Sequence, residues 1–234
     1  MEKKYTGIVV SVKPYGADFM ITLLTAEEGL VNVLVEDKPN FFKFAKELLT
    51  FGYFFVNVKG GFFCVLEKCQ VIDAFQKIKN SSLKFLEAKN LCSAVKEVAQ
   101  LNDQDTPLFV EFCECLKALN YEDLAQDVVL TKFLSTIFVG FSKTINFETC
   151  DICGQNLKNI YFVNPQNCTF VCKNCVDKFS TALSKQTAEN LKLLLETPYE
   201  KLKFLENIET KKLLRFLLEI FKYKVGERFK FYSE

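Results

Sequence analysis

Residues 150–175 read CDICGQNLKNIYFVNPQNCTFVCKNC: two Cys-x-x-Cys hooks, Cys150/Cys153 and Cys172/Cys175, with eighteen residues between the inner cysteines. This spacing fits a four-thiolate zinc site, in which about 15–20 residues separate the hooks. Each hook lets two thiolates converge on one ion, and Zn2+ takes four such ligands tetrahedrally at roughly 2.3 Å. Gly154, directly after the first hook, suits a turn that brings backbone close to sulfur with φ free to be positive. The competing readings are a set of buried free cysteines and a redox dithiol. A redox dithiol needs one hook, usually at a helix start, and not two. The pattern therefore points to one structural zinc held by Cys150, Cys153, Cys172 and Cys175. With protein at all four positions, such a site holds a fold and does no chemistry. Cys168 lies in the same loop, but its spacing leaves the tighter 172/175 hook intact, and it is read as a bystander.

Outward from the hooks, composition narrows the function. The chain has 234 residues, 49% of them hydrophobic and 25 of them Phe, enough for a sizeable core. It has no His, which removes Ser-His-Asp, Cys-His and His-metal chemistry. The start, MEKKYTGIVV, lacks the apolar region and cleavage site of a signal peptide. The ten cysteines are thus expected to be reduced, in a cytoplasmic protein. The most apolar run, residues 133–141, is far too short to span a bilayer. Formal charge is +1 overall but uneven: +1 over residues 1–79, −4 over 80–177 and +4 over 178–234. A basic final third hints at a side that faces a polyanion.

Residues 1–75 read as strands. Residues 5–12 alternate, Pro14-Tyr15-Gly16 signals a turn, and 19–25 and 30–35 flank a tight Glu28-Gly29 turn. Residues 52–59 and 62–73 form another hairpin through Gly60-Gly61, and 40–49 between the third and fourth strands have helical spacing. Five short strands with an insertion after the third suggest an OB-like barrel, although the count alone leaves an SH3-like barrel open. From Ser81 the period becomes helical, with Leu83, Leu86, Leu91, Val95 and Val98 on one face. Thr106-Pro107 reads as an N-cap with Pro at N1, opening a helix to about 119. Asp123 reads as the cap of the next helix, whose interior, 124–141, is apolar nearly all round, as at the centre of a bundle. Segments 176–195, 198–205 and 210–225 read as three more helices. The expected class is α+β: an OB-fold barrel over 1–76, then a helical domain over 77–234 with a zinc insertion at 147–178.

No catalytic signature is present. There is no phosphate-binding G-x-x-x-x-G-K-[ST] loop. The acidic pairs Glu111/Glu114 and Glu122/Asp123 fall on predicted exposed faces. A nucleotide triphosphatase is therefore not expected, while an enzyme such as a nuclease, with zinc as scaffold, stays open. Strand aromatics Phe54, Phe55, Phe62 and Phe63 could stack bases as in other OB-folds, but core packing is the better reading for any one of them. Phe41, Phe42 and Phe44 interleave with Lys43 and Lys46 in the insertion. The candidate DNA contacts are Lys38, Lys43, Lys46 and Lys59.

The order of parts resembles the RecO family of bacterial DNA repair proteins. Tyr5-x-Gly7-Ile8-Val9-Val10, Tyr15-Gly16-x-Asp18 and Leu24-Thr25-x-x-x-Gly29 are similar to that family's opening hairpins. The four-cysteine segment and the end, Leu214-Arg215 through Gly226-Glu227-Arg228, are similar to its later parts. Two places depart from the family pattern. Glu36-Asp37-Lys38-Pro39 stands where the family has a glycine- and arginine-rich stretch, and Cys168-Thr169 stands where it has paired glycines. The resemblance implies a recombination mediator of the RecF pathway, without enzymatic turnover. Such a protein binds single- and double-stranded DNA, anneals strands, engages RecR and the C-terminal tail of single-stranded-DNA-binding protein (SSB), and helps load RecA. It implies a cytoplasmic, nucleoid-associated location in a bacterium, with no membrane and no small-molecule substrate. An acidic, partly apolar tail needs an apolar groove rimmed by cations, and Lys211, Lys212, Arg215 and Lys222 are the candidates. The alternative is a zinc-ribbon and OB-fold factor of transcription or RNA metabolism.

Overall fold

The alternation of apolar residues from Tyr5 produces the first and longest strand, β1 (Glu2–Tyr15), in a computed structural model. The structure describes residues 1–37, 43–59, 63–101, 103–122, 124–142, 145–158, 160–205 and 208–226. β1 pairs antiparallel with β2 (Asp18–Thr25), and β2 with β3 (Gly29–Val35). β4 (Phe51–Lys59) and β5 (Phe63–Asp73) pair with each other. β3 then pairs in parallel with β5, and β4 returns to β1, which closes a barrel in the order β1-β2-β3-β5-β4. That parallel closure is the OB arrangement and decides against the SH3-like alternative. Closure also removes the free edges that a small open sheet would expose. Inside lie Tyr5, Val9, Ile21, Leu23, Val31, Val33, Val35, Phe54, Val56 and Leu66, with Ala45 from the β3–β4 connection.

The chain divides into two compact units, the first ending at Asn120 and the second beginning at Tyr121. The expected border at 76/77 falls one residue past the change from strand to helix, which lies between Asp73 and Gln76. The next helices, α1 (Gln76–Lys79), α2 (Ser82–Val98) and α3 (Thr106–Tyr121), nevertheless pack largely within the barrel's unit. Leu30 N donates to Gln100 O, the Phe51 and Phe109 rings lie 6.4 Å apart, and Ile78 N donates to Asn120 Oδ1. Gly29 is required at this seam. Its φ is +62°, and a Cβ there would overlap the Asp103 carbonyl oxygen.

In the second unit, α4 (Gln126–Gly140) is the buried centre the sequence predicts, with Val129, Leu130, Phe133, Leu134, Ile137 and Phe138 all buried. Around it pack α5 (Lys185–Glu196) and α6 (Thr210–Val225). The Phe138 ring lies 6.0 Å from that of Phe216. Lys132 is also buried, its ammonium donating to Leu195 O at 3.2 Å. The C-terminal end of α5, where that carbonyl lies, favours a cation. β6 (Ile160–Asn164), β7 (Thr169–Val171) and β8 (Thr181–Ser184) form a three-stranded sheet in the order β7-β6-β8.

Several local expectations are corrected. Segment 176–195 is not one helix: β8 precedes α5, because Ala182 and Leu183 pair with Phe162 and Tyr161 and Ser184 caps α5 by accepting from Thr187 N. The spacing of Val176, Phe179 and Leu183 imitates a helix, yet Val176 and Phe179 are exposed and only Leu183 is buried. Segment 198–205 is a 3-10 turn over Tyr199–Phe204. Within 40–49, the described part holds one 3-10 turn, Phe44–Lys46, ending before Leu49 at φ +66°. Asp105, and not Thr106, caps α3, its carboxylate accepting from Leu108 N at 3.0 Å. Leu83 is exposed, and α2 is buried through Ala88, Leu91, Cys92, Ala94 and Val95. The Asp123 cap and the Gly60-Gly61 turn lie outside the described residues.

Candidate metal centre

The first hook is a tight knuckle between Thr149 and Asn156, which bridge to each other. Cys150 N donates to Gln155 O at 2.7 Å, and Gly154 N returns to Cys150 O at 2.8 Å. Gly154 has φ +71°. This is the left-handed conformation expected for it. The second hook leaves the end of β7 and turns through Cys175 N donating to Cys172 O at 3.0 Å. Asp151 N donates to Phe170 O and so fastens the first knuckle to β7. Beneath them the Phe170 ring lies 5.0 Å from Phe147, 5.6 Å from Tyr161 and 6.5 Å from Phe138, a chain of aromatic contacts that seats the ribbon on α4.

The four sulfurs lie within 4.8 Å of one another, with 3.7 Å between those of Cys153 and Cys172. Four thiolates at roughly 2.3 Å from a central ion would stand about 3.8 Å apart, so the set fits a tetrahedral zinc without rearrangement of the backbone. Burial pushes the Cys150 thiol up, but backbone N–H groups of Cys153, Cys172 and Ile152, with the Cys153 side chain, pull it down to about 6. The Cys175 thiol is pushed up to about 12, first by the Cys153 thiol and then by burial. One thiolate thus forms readily while a neighbouring thiol keeps its proton. A divalent cation at the centre would relieve that repulsion and let all four ionise. Among the described residues this is the only gathering of three or more Cys, Asp or Glu side chains able to share an ion.

Cys168 stands apart. It is fully buried in the β6–β7 turn at φ +55°, its sulfur directed to Pro165 O at 3.8 Å, and burial pushes its thiol up to about 11.

The other candidates are less gathered. Lys38 lies outside the described residues, as do Phe41 and Phe42. Lys43 is exposed at the start of the 3-10 turn, and Lys59 is exposed at the end of β4. Lys46 is committed elsewhere, to an ion pair with Asp37 and a position 4.9 Å from the centre of the Phe19 ring. Phe54 is wholly inside the barrel. On α6, Lys211, Lys212, Arg215 and Lys222 are all exposed, opposite the buried Leu213, Phe216, Leu217, Ile220 and Phe221. Only Lys212 and Arg215 meet at one cleft, of about 320 Å³, with Phe216 on its wall and β8 along its side. Lys212 is also held by Glu209 at 2.9 Å, and Glu219 adds a carboxylate to the rim. The sequence missed the role of β8. It is an edge strand of the small sheet, and its residues 181–184 line the cleft.

The model of the family described as "Recombination protein O C terminal" matches residues 82–232. The DNA repair protein RecO of Acetivibrio thermocellus is 25% identical over 203 residues, covering 83% of this chain and 79% of its own. The protein of that name from Clostridium perfringens strain 13 is 21% identical over 200 residues, covering 83% and 80%. The family match spans α2 to α6 with the ribbon between, so the four clustered sulfurs lie inside it. The chain belongs to the recombination protein O (RecO) family of DNA repair and recombination proteins.

Proposed function

We propose that this protein is a recombination mediator of the RecF pathway, acting by binding and not by turnover. It would hold single- and double-stranded DNA, anneal complementary strands, engage RecR and the C-terminal tail of SSB, and so help RecA onto coated strands. The observation that carries the reading is the joining, in one chain of this family, of a closed OB-type barrel and a four-thiolate ribbon set in a helical unit. The ion is proposed to be zinc, held by Cys150, Cys153, Cys172 and Cys175. It would fix the two knuckles and their turns, and the closed thiolate set suits a structural role. No described helix is long and apolar enough to cross a membrane.

DNA would be held mainly by charge. Lysines outnumber arginines 28 to 2, and arginine is the usual bidentate reader of bases. Affinity should fall steeply with salt, by a logarithmic slope of about −0.7 per neutralised phosphate on single strands. The acidic tail of SSB would lie in the cleft between α6 and β8, with its carboxylates near Arg215 and Lys212 and its apolar end on Phe216. Rim charges would set its on-rate and the buried anchor its off-rate.

The test is a pull-down against RecR and an SSB-tail peptide, with DNA titration alongside. Retention of both partners and salt-sensitive DNA binding are expected. Arg215→Glu should weaken the tail and leave DNA, whereas Lys59→Glu should weaken DNA and leave the tail. Failure to retain either partner, together with a preference for RNA, would instead favour the factor of transcription or RNA metabolism.

A further inference from the structure

Strand β4 reads Phe51-Gly-Tyr-Phe-Phe-Val-Asn-Val-Lys59, and the barrel sorts it by parity. Phe54 and Val56 go inside, at 0% and 1% exposure. Tyr53, Phe55, Asn57 and Lys59 therefore stand on the outer face. Phe51 packs beside Phe109, and Tyr53 and Phe55 are half-buried, each with a lysine over its ring. Across the ladder, Phe55 pairs with Lys4 of β1 on one side and Lys68 of β5 on the other. The Lys4 ammonium lies 3.9 Å from the centre of the Tyr53 ring and 5.8 Å from that of Phe55, and the Lys68 ammonium lies 5.4 Å from the latter. A bulge beside Phe55 leaves both Glu67 and Lys68 outside, and the Asn57 amide donates to the Glu67 carboxylate at 3.0 Å. Four ammonium groups, of Lys4, Lys59, Lys68 and the Met1 N-terminus, which donates to Asn57 Oδ1 at 3.4 Å, thus stand on this face against two carboxylates, of Glu2 and Glu67.

From this placement we infer that the outer face of β4, with Lys4 and Lys68 beside it, is a stacking platform for the unpaired bases of single-stranded DNA. The inference rests on the DNA-binding reading above and adds to it a site and a preference. Tyr53 and Phe55 are about 7 Å apart along the strand, which leaves room for one base on each ring. A lysine over an aromatic ring contributes less than a base stacked on the same ring. The base displaces the ammonium, and the freed ammonium takes the adjoining phosphate. Bases in a duplex are already stacked and cannot reach the rings. The platform therefore separates single strands from duplexes, which the lysines alone cannot do.

The experiment measures anisotropy of fluorescein-labelled oligo-thymidylate and of a duplex of equal length, on the full zinc-loaded chain. Tyr53→Ala and Phe55→Ala should each weaken oligo-thymidylate by roughly 5- to 100-fold and leave the duplex unchanged. Tyr53→Leu and Phe55→Leu keep apolar cover over the barrel and remove the ring. They serve if the alanine variants do not fold, and they should show the same selective loss. Tyr53→Phe should bind as the unaltered protein does. Lys4→Gln with Lys68→Gln should make the salt slope shallower by about 1.4 on single strands. Equal losses on single strand and duplex, or none in the leucine variants, would overturn the platform while the DNA-binding reading stands. If the unaltered protein binds neither oligonucleotide, the DNA-binding reading itself is wrong and the platform falls with it.

Discussion

The barrel and the ribbon are both small β-structures, and they are held by opposite means. The barrel closes its own ladder and fills its interior with ten strand side chains and Ala45. The ribbon has three short strands in an open sheet, and its described apolar contacts centre on Phe170. The knuckles are irregular backbone, with Ile152 exposed, and the ion proposed for the four sulfurs would offset the cost of their ordering. The comparison teaches where each region can be broken: the barrel at its core, the ribbon at its thiolates.

The largest effect is therefore expected at the metal. Structural zinc in small folds contributes on the order of 10–16 kcal/mol at neutral pH. Cys172→Ser should lose the metal, seen by elemental analysis, and open residues 147–178 to protease. Removal of metal by a chelator should do the same. In both cases amide exchange in β1–β5 should stay slow. Full metal content in Cys172→Ser would mean that another ligand, with Cys168 the nearest candidate in sequence, completes the site.

The converse break is Phe54→Ala. Phe54 is fully buried among the barrel side chains. Truncating a core phenylalanine costs about 3–5 kcal/mol through lost burial and a cavity. Urea unfolding should move to lower concentration and barrel amides should exchange faster, with the metal retained. Coupled loss of metal would show that the two regions do not hold independently.

What the sequence disclosed follows the same division. The hooks were legible because ligand spacing is local: Cys150/Cys153 and Cys172/Cys175 each form a turn whose geometry depends on few neighbours. Strands β1 to β5 were legible because alternation marks a half-buried strand. β8 was not, because four residues have no period of their own and Ala182 and Leu183 become strand only by pairing with β6. Lys46 read as a free cation because its partner Asp37 lies on the far side of the insertion, beyond what spacing can place. The face of β4 was hidden for another reason. Tyr53-Phe54-Phe55 is continuously aromatic, so parity could not be read until closure of the barrel put Phe54 inside.

A smaller effect tests how the barrel's β2–β3 turn is fastened. Glu28 accepts from Lys3 at 2.6 Å and from the buried Tyr5 hydroxyl at 2.8 Å. The Lys3 hydrogen bond, the largest influence, with Tyr5 and the Lys3 charge, holds its carboxyl below the ordinary value of 4.5, against a smaller opposing effect of burial. A carboxylate lowered on folding stabilises above its unfolded pKa, and the contribution is lost as pH falls through the lowered folded value. Acidification below about 4.5 should therefore cost stability here, and Glu28→Gln should remove that part of the acid dependence. The pair is partly exposed, so its contribution is about 0.5–1 kcal/mol after screening. Urea midpoints at neutral and acid pH for both proteins would measure it. Equal acid sensitivity in the two would assign it to other carboxylates.

The smallest effect is expected at Cys168, in the β6–β7 turn of the ribbon. The residue sits at φ +55°. A side chain in that left-handed region costs roughly 1–2 kcal/mol. Its sulfur is fully buried. That burial returns about 1 kcal/mol. Cys168→Gly removes both contributions and adds freedom to the unfolded chain, about 0.4–1 kcal/mol. The three nearly cancel, so the melting temperature should move by no more than about 2–4 °C. The metal should remain at full occupancy. Cys168→Val keeps the positive φ and adds a branched carbon that fits it poorly, so it should melt clearly lower, again with metal retained. Loss of metal in the glycine variant would place Cys168 among the ligands. A glycine variant as unstable as the valine one would show that the buried sulfur, and not the backbone angle, decides the turn.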